Sequence, residues 1–210
     1  RDALPDMLRR VQAGEVDILV GTQMLTKGHD FPRLTLVGIL NADSGLYSAD
    51  FRASERLFAQ LLQVAGRAGR ASGNGEVLIQ TAFPAHPLFT ALAHGDYGEF
   101  ANTLLAEREA LGLPPFTFQA LLRAEAHRME TTLDFLREAA ARAPQWPGVR
   151  VYDPVPAPLA RLAGKERAQL LVESASRSLL QKFLADWMTA LERHRTRSVR
   201  WALDVDPLEP

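Results

Sequence analysis

The feature that most constrains the fold of this chain is a proline pair near its middle, in the segment Leu113-Pro114-Pro115-Phe116. Proline lacks a backbone N–H and disfavours the helical conformation in the residue before it, so no helix continues through this segment. The apolar periodicity also changes character here. We therefore predict a domain boundary at this point, with one domain at residues 1–112 and a second at residues 113–210.

Before the boundary, short apolar runs alternate with amphipathic segments. This pattern predicts buried strands over residues 17–20, 34–40 and 76–81, and helices over residues 3–13, 55–62, 86–95 and 97–111. Strands of continuous apolar character are typical of parallel sheets. The first domain is therefore predicted to be α/β, with a parallel sheet and flanking helices.

After the boundary, the predicted elements follow a different order. Strands are expected over residues 118–125, 149–153, 168–173 and 198–205, and helices over residues 130–142 and 176–193. The order strand-helix-strand-strand-helix-strand is that of a split βαβ, or ferredoxin-like, sandwich. The second domain is therefore predicted to be a smaller α+β unit.

Residues 63–70, QVAGRAGR, follow the amphipathic helix predicted over residues 55–62. Arg67 and Arg70 are three residues apart, so on a helix they project in the same direction. Gly66 and Gly69 leave the surface beside them bare. Two charged guanidinium forks over such a surface suit a polyanion such as the γ-phosphate of a nucleotide. The same pattern is also compatible with an ordinary helix end that carries two solvated arginines.

Residues 63–70 resemble motif VI of superfamily 2 helicases, and residues 21–31, GTQMLTKGHDF, resemble motif V. The amino-acid sequences of three segments, ILVGTQM, NADSGLYSADFR and QVAGRAGR, are similar to those of the PriA family of bacterial replication restart helicases. The chain end WALDVDP also resembles the C-terminus of that family. The resemblance implies the second half of a RecA-like helicase lobe, followed by the C-terminal domain of the family.

The resemblance also implies roles for individual residues of the first domain. Residues expected to act on the phosphates during catalysis are Arg67, Arg70 and Gln63, and residues expected near the nucleotide are Gly28, Asp30 and Gly66. Residues expected to contact a DNA strand are Thr22, Gln23, Lys27 and Arg52. Two of these have simpler interpretations, because Thr22 is also suited to cap a helix and Arg52 to a surface turn.

The sequence contains neither a glycine-rich phosphate loop with its lysine nor the acidic magnesium site that accompanies it. ATP and Mg²⁺ are therefore expected to be bound mainly by a first lobe outside this chain. We expect the chain alone neither to hydrolyse ATP nor to unwind DNA. Members of the family carry Zn²⁺ on cysteines of an insertion upstream of motif V. This chain has no cysteine, and no metal site is predicted in it.

Basic residues are the main candidates for function in the second domain. Arg161, Lys165 and Arg167 are predicted to lie in one loop flanked by proline and glycine, where they would contact DNA phosphates. Arg177 follows Ser176 at the start of the last helix. The resemblance implies that it holds the acidic C-terminal tail of single-stranded DNA-binding protein. An exposed arginine in a first helical turn is the simpler interpretation.

The resemblance implies that the intact protein is an ATP-dependent 3′-to-5′ DNA helicase that recognises stalled or recombined replication forks and initiates primosome assembly. Its expected partners are forked or single-stranded DNA, single-stranded DNA-binding protein and the primosome proteins that load the replicative helicase. The chain opens at Arg1 without a signal peptide or an apolar run of membrane-spanning length. We therefore expect a cytoplasmic protein with no membrane partner, of which this chain is one part.

Two other functions remain compatible with these motifs. One is a different superfamily 2 translocase, such as a RecG-like branch-migration helicase. The other is a non-enzymatic adaptor, in which the first domain only packs and the second binds DNA or protein. Phosphate-loop and paired CxxC motifs upstream of Arg1 in the parent gene would distinguish a PriA-like helicase from both.

Overall fold

The structure is a computed structural model that describes residues 3–22, 31, 33–48, 50–68, 75–193 and 198–208. The chain forms two compact units, Arg1–Leu104 and Leu105–Pro210. Each unit has its own cluster of buried apolar side chains. The domain boundary predicted between residues 112 and 113 stays a prediction.

The first unit contains one pair of parallel strands and several helices. Its elements are α1 (Ala3–Ala13), β1 (Leu36–Ile39), α2 (Ala53–Ala65), β2 (Glu76–Ile79), α3 (Pro87–His94) and α4 (Tyr97–Ala110), of which α4 continues into the second unit. β1 and β2 pair in parallel, with Leu36 opposite Glu76 and Ile39 opposite Ile79. The predicted mixed α/β class with a parallel sheet is therefore confirmed.

Two predictions about the strands of this unit are wrong. Residues 17–20 form no strand, and Ile18 and Val20 are 79% and 88% exposed. An apolar run becomes a strand only where a neighbour completes its hydrogen bonds, and among the described residues β1 and β2 pair only with each other. The two strands are also not buried on both faces. Leu36 and Leu78 share one face and are half exposed, because no described element covers that face.

Helix α2 supplies the centre of the first core. Leu57, Phe58 and Leu61 are buried at helical spacing, and the ring of Phe58 stacks on Phe100 of α4 at 4.9 Å between centroids. Leu62 also belongs to the predicted apolar run of this helix, but it is 51% exposed. One step along a helix turns a side chain by about 100°, which carries Leu62 away from the face that Leu61 buries.

The carboxylate of Asp43 joins the ends of the two parallel strands. Asp43 lies in a short 3₁₀ helix, Ala42–Gly45, directly after β1. Its Oδ2 accepts a hydrogen bond of 2.8 Å from the backbone N–H of Ala82, and its Oδ1 accepts one from the Thr81 hydroxyl. These two bonds, the backbone one first, hold the pKa of Asp43 below its usual value. Because parallel strands end at the same edge, one carboxylate reaches both loops.

The second unit is an antiparallel sheet with two helices. Its elements are β3 (Phe118–Ala126), α5 (Met129–Ala141), β4 (Val149–Val151), β5 (Val155–Leu162), β6 (Lys165–Ser174), α6 (Arg177–Glu192) and β7 (Arg200–Val205). The strand order is β4-β6-β3-β7, and β5 also pairs with β6. Both helices pack against the same face of the sheet, which we call the helix-covered face.

Strand β5 is not predicted by the sequence, because Pro154, Pro156 and Pro158 indicate the end of a strand. The structure instead pairs β5 with β6 and places an irregularity in the register between Pro156 and Arg161. Proline is tolerated beside a bulge on a strand that pairs on one side only. As a result, the loop predicted to carry Arg161, Lys165 and Arg167 is a β-hairpin, with Arg161 in β5 and the other two residues in β6.

Trp187 anchors the second core. It is fully buried on α6 beside Phe183, and its indole N–H donates a 2.9 Å hydrogen bond to the carbonyl of Ala139 on α5. Leaving a buried donor of this kind unpaired costs about 1–3 kcal/mol, so the bond fixes the two helices against each other. None of the described helices is long and apolar enough to cross a membrane.

We expect Asp43→Asn to lower the urea midpoint of unfolding near neutral pH, because the amide keeps one acceptor oxygen and its nitrogen accepts no hydrogen bond, so one of the two bonds to the carboxylate is lost. The folded-state pKa of Asp43 is lowered, so its contribution is complete above the unfolded pKa of about 3.9. The contribution is lost as the pH falls through the lowered value. The difference between wild type and variant should therefore shrink below about pH 4.

Urea unfolding followed by circular dichroism over a pH series measures this difference. Asp17→Asn is the matched control, because Asp17 is an exposed carboxylate of the same unit. A difference between wild type and Asp43→Asn that does not change between neutral and acidic pH would contradict the assignment.

Candidate functional site

The motif predicted to contact nucleotide lies where helix α2 ends. The helix stops at Ala65, and the backbone N–H groups of Arg67 and Ala68 donate to the carbonyls of Val64 and Ala65 at 3.0 and 3.1 Å. Arg67 therefore leaves the helix in a turn and is partly buried. The expectation that it projects from a helical face is wrong, because the helix ends two residues earlier. Arg70 lies outside the described residues.

Two further predicted residues flank Arg67. Gln63 is exposed on the last turn of α2. Gly66 donates its N–H to the carbonyl of Leu62 at 2.9 Å, and a Cβ at Gly66 would lie 3.3 Å from that same oxygen. The carbonyl oxygen of Leu62 belongs to the backbone and cannot move away easily. The absence of a side chain at Gly66 therefore allows this close approach of the backbone at the end of the helix.

The loop predicted to contact DNA and nucleotide after residues 17–20 is only partly described. Thr22 is exposed and belongs to no helix or strand. The remaining candidates of this loop lie outside the described residues; they are Gln23, Lys27, Gly28 and Asp30. Their predicted roles stay predictions.

Arg52 lies at the other end of α2, where it forms part of a compact corner. Its backbone N–H donates to Oδ1 of Asp50 at 2.9 Å, and its guanidinium lies 4.3 Å from the ring centroid of Phe51. The same Asp50 carboxylate forms an ion pair with Arg56 on the first turn of the helix. These contacts give Arg52 a local structural role, and its predicted contact with DNA stays a prediction.

The three basic residues predicted to form one cluster in the second unit lie on two sides of the β5–β6 hairpin. Arg161 is paired in register with Glu166, and their side chains form an ion pair at 3.6 Å. Lys165 and Arg167 are one residue away on either side, so they point to the opposite face. Lys165 Nζ lies 3.4 Å from Nε2 of His127. Strand alternation therefore separates Arg161 from the other two.

Arg177 begins helix α6, after Ser176 caps the helix by accepting the N–H of Leu179 at 3.3 Å. Its guanidinium forms an ion pair with Asp206 and lies 5.6 Å from the ring centroid of Phe118. The Arg177 side chain is still 63% exposed. No local pattern in the sequence indicates this pairing, because Asp206 is 29 residues away on another element.

The sequence prediction also missed Arg123, on the central strand β3. Its guanidinium forms an ion pair with Asp204 of β7 at 3.2 Å. The signal for it is the alternation of Arg123 and Glu125 with Ala124 and Ala126, which puts charge on one face of a strand and small apolar residues on the other. Among the described residues, no group of three or more histidine, cysteine, aspartate or glutamate side chains could hold a metal ion.

Comparisons with known proteins match both halves of the chain. Residues 3–72 match the family model of the helicase conserved C-terminal domain, and residues 109–208 match that of the primosomal protein N C-terminal domain. Among solved structures, the de novo designed protein Foldit4 overlaps 41% of this chain and 94% of its own, with 11% identity. Its TM-score of 0.29 is too low to support an argument about the fold.

Curated relatives that are named replication restart protein PriA align with nearly the whole chain. The relative from Haemophilus influenzae is 47% identical over 206 residues, which is 97% of this chain and 28% of the relative. The relative from Treponema pallidum is 40% identical over 96% of this chain and 31% of its own length. The relative from Bacillus subtilis is 34% identical over 92% of this chain and 24% of its own length.

The chain therefore spans less than a third of the length of these relatives, and it aligns with their C-terminal part. The order of the two matched family models agrees with the order of the two units in the structure. The chain belongs to the PriA family of replication restart proteins.

Proposed function

We propose that the intact protein is an ATP-dependent 3′-to-5′ DNA helicase that recognises stalled or recombined replication forks and initiates primosome assembly in the cytoplasm. The observation that carries this proposal is the similarity to replication restart protein PriA along almost the whole chain, at 47% identity to the Haemophilus influenzae relative. No observation favours a RecG-like translocase or a non-enzymatic adaptor.

The proposal includes a finer assignment of the two units. The first is the second half of a RecA-like helicase lobe, supported by the parallel pair β1–β2 and the family match over residues 3–72. The second is a split βαβ sandwich. This assignment is supported by the strand order β4-β6-β3-β7, in which every neighbouring pair is antiparallel.

Within this lobe, Arg67 is proposed to contact the γ-phosphate of ATP. A guanidinium there stabilises the negative charge that spreads over the transferring phosphoryl group. The support for this role is the position of Arg67, which is partly buried in the turn beside Gly66 at the end of α2. Gln63 and Gly66 belong to the same proposed site, together with Arg70, Gly28 and Asp30 outside the described residues. The phosphate loop and the Mg²⁺ ligands are proposed to lie in another part of the protein.

DNA and protein contacts complete the proposal. Thr22, Gln23, Lys27 and Arg52 are assigned to the tracked DNA strand. The second unit is assigned to fork DNA and to partner proteins. Arg177 is proposed to hold the acidic tail of single-stranded DNA-binding protein, since its exposed guanidinium already holds the carboxylate of Asp206.

Replacing Arg67 by alanine in the full-length protein should reduce DNA-stimulated ATP hydrolysis by about 10³-fold or more, the effect typical of an arginine that stabilises phosphoryl transfer. Binding of forked DNA should change little, because Arg67 is not assigned to DNA. The present chain alone should hydrolyse no ATP. Steady-state ATPase assays with forked DNA compare the wild-type full-length protein, its Arg67→Ala variant and the present chain.

Arg9→Ala is the matched control for this prediction. Arg9 is an exposed arginine of the same unit, 77% accessible and paired only locally with Asp6 on α1. If Arg67→Ala retained ATPase activity within about threefold of the Arg9→Ala value, the role of Arg67 would be refuted.

A second prediction concerns Arg177. Arg177→Ala should weaken the binding of a fluorescent peptide with an acidic C-terminal tail by about tenfold, because a charge-assisted contact to a carboxylate is lost. Asp206→Asn should instead tighten binding, since it removes the carboxylate that occupies the guanidinium. Fluorescence anisotropy of the peptide against this chain measures both changes.

Arg137→Ala serves as the control, because Arg137 is an exposed helical arginine that pairs with Asp134 on its own helix. Equal affinities of the peptide for wild type, Arg177→Ala and Asp206→Asn would show that the tail binds elsewhere or not at all.

A further inference from the structure

The second unit has a groove on the face of its sheet that α5 and α6 leave uncovered. We call this the second face. Ala124 and Ala168 belong to the core on the helix-covered face, so their strand neighbours point to the second face. The groove has a volume of about 340 Å³, within the range of small-molecule sites. Its polar lining consists of Arg123, Glu125, Arg167, Gln169 and Arg200.

Strand register brings these five residues together from three strands. Glu125 of β3 lies opposite Arg167 of β6 on one side and opposite Arg200 of β7 on the other. Two residues before Glu125 on β3, Arg123 lies opposite Gln169 of β6. Directly opposite residues on one face have Cβ atoms about 5 Å apart, so three guanidinium groups share a small area.

The groove is positively charged. Three arginines and one glutamate line it. Glu125 lies 3.9 Å from the guanidinium of Arg200, and Asp204 outside the groove pairs with Arg123. The Arg200 side chain is 87% exposed, and its long contact of 3.9 Å with Glu125 leaves it available to an anion. Arginine forks bind phosphate oxygens with two parallel hydrogen bonds, so the lining suits a phosphate group.

A second, independent observation comes from Gln169. The residue is only 8% exposed, it lines the groove, and its side-chain oxygen accepts no hydrogen bond. Buried acceptors without a donor are rare in folded proteins. A ligand that brings an N–H group into the groove supplies the missing donor, after a change in the Gln169 side-chain torsions.

We propose that this groove binds one nucleotide of a single DNA strand, with the backbone phosphate on Arg123, Arg167 and Arg200 and the edge of the base donating to Gln169. This inference rests on the proposed function, because it presumes that the protein acts on DNA. It assigns the contact to the groove-lining arginines rather than to Arg161 and Lys165, which do not line the groove. Every DNA base carries an N–H donor, so the site reads the presence of a base and not its identity.

No aromatic ring of the described residues offers a stacking platform in this groove. Trp201 lines it, but its ring lies 6.3 Å from that of Phe135 and packs against the core. Binding therefore depends on phosphate contacts and should be strongly weakened by salt.

The test is fluorescence anisotropy of this chain with labelled single-stranded oligothymidine, an abasic strand of equal length and forked DNA, each over a salt series. Arg167→Gln/Arg200→Gln should weaken binding to oligothymidine at least tenfold at low salt and reduce the slope of log affinity against log salt by about one to two. Arg137→Gln/Arg142→Gln removes the same charge from exposed positions on α5 and at the residue that follows it, and should change both quantities little.

Gln169→Leu tests the base contact. Wild type should prefer oligothymidine to the abasic strand severalfold, and the variant should lose that preference while binding the abasic strand as wild type does. The variant should melt no lower than wild type, because it removes a buried unpaired acceptor. If Gln169→Leu does not fold, the arginine pair variant still tests the site.

The outcomes separate the two claims. If wild type binds forked DNA and the groove pair variant behaves like the α5 control pair, the groove assignment is overturned and the proposed function stands. The same conclusion follows if Arg161→Gln/Lys165→Gln alone removes binding. If wild type binds no DNA at low salt, the DNA role proposed for this chain fails, and the groove assignment fails with it.

Discussion

The pairing of β3 on both of its edges is the interaction on which the second unit depends. Over its nine residues the strand is hydrogen-bonded to β6 on one side, and β7 covers six of them on the other. This register fixes which side chains meet α5 and α6 and which point to the second face. Trp187 then joins the two helices through its bond to Ala139, so sheet and helices support one core. The arginines of the second face are positioned by the same pairing.

Strand β3 buries apolar residues on the helix-covered face and carries charged residues on the second face. On β3, Ala120, Leu122 and Ala124 are buried in the core, while Arg123 and Glu125 alternate with them. Leu121 on the second face is buried as well, at 1% exposure, so Arg123 and Glu125 are the partly exposed residues of β3 on that face. The first unit uses a different device, in which Asp43 ties together the loops that follow two parallel strands and so positions the chain that leads into α2.

Helices are predicted well from the sequence because their signal is local. α1, α2, α5 and α6 each show apolar residues at intervals of three and four, and each lies within a few residues of its predicted bounds. Strands are predicted less well. Residues 17–20 have strand-like composition but no described partner, whereas β5 contains prolines and still pairs with β6. Whether a short run becomes a strand depends on a neighbour that is distant in the chain.

The sequence by itself determined the family, the mixed α/β class and the amphipathic faces of the helices, because motifs and periodicity are written in adjacent residues. Only the tertiary structure decided that Arg161 and Arg167 lie on opposite faces, that Arg177 pairs with Asp206, and that Arg123, Arg167 and Arg200 share one groove. Each of these facts depends on strand register or on contacts between distant elements. A shift of one residue in register would exchange the two faces, and no local pattern specifies it.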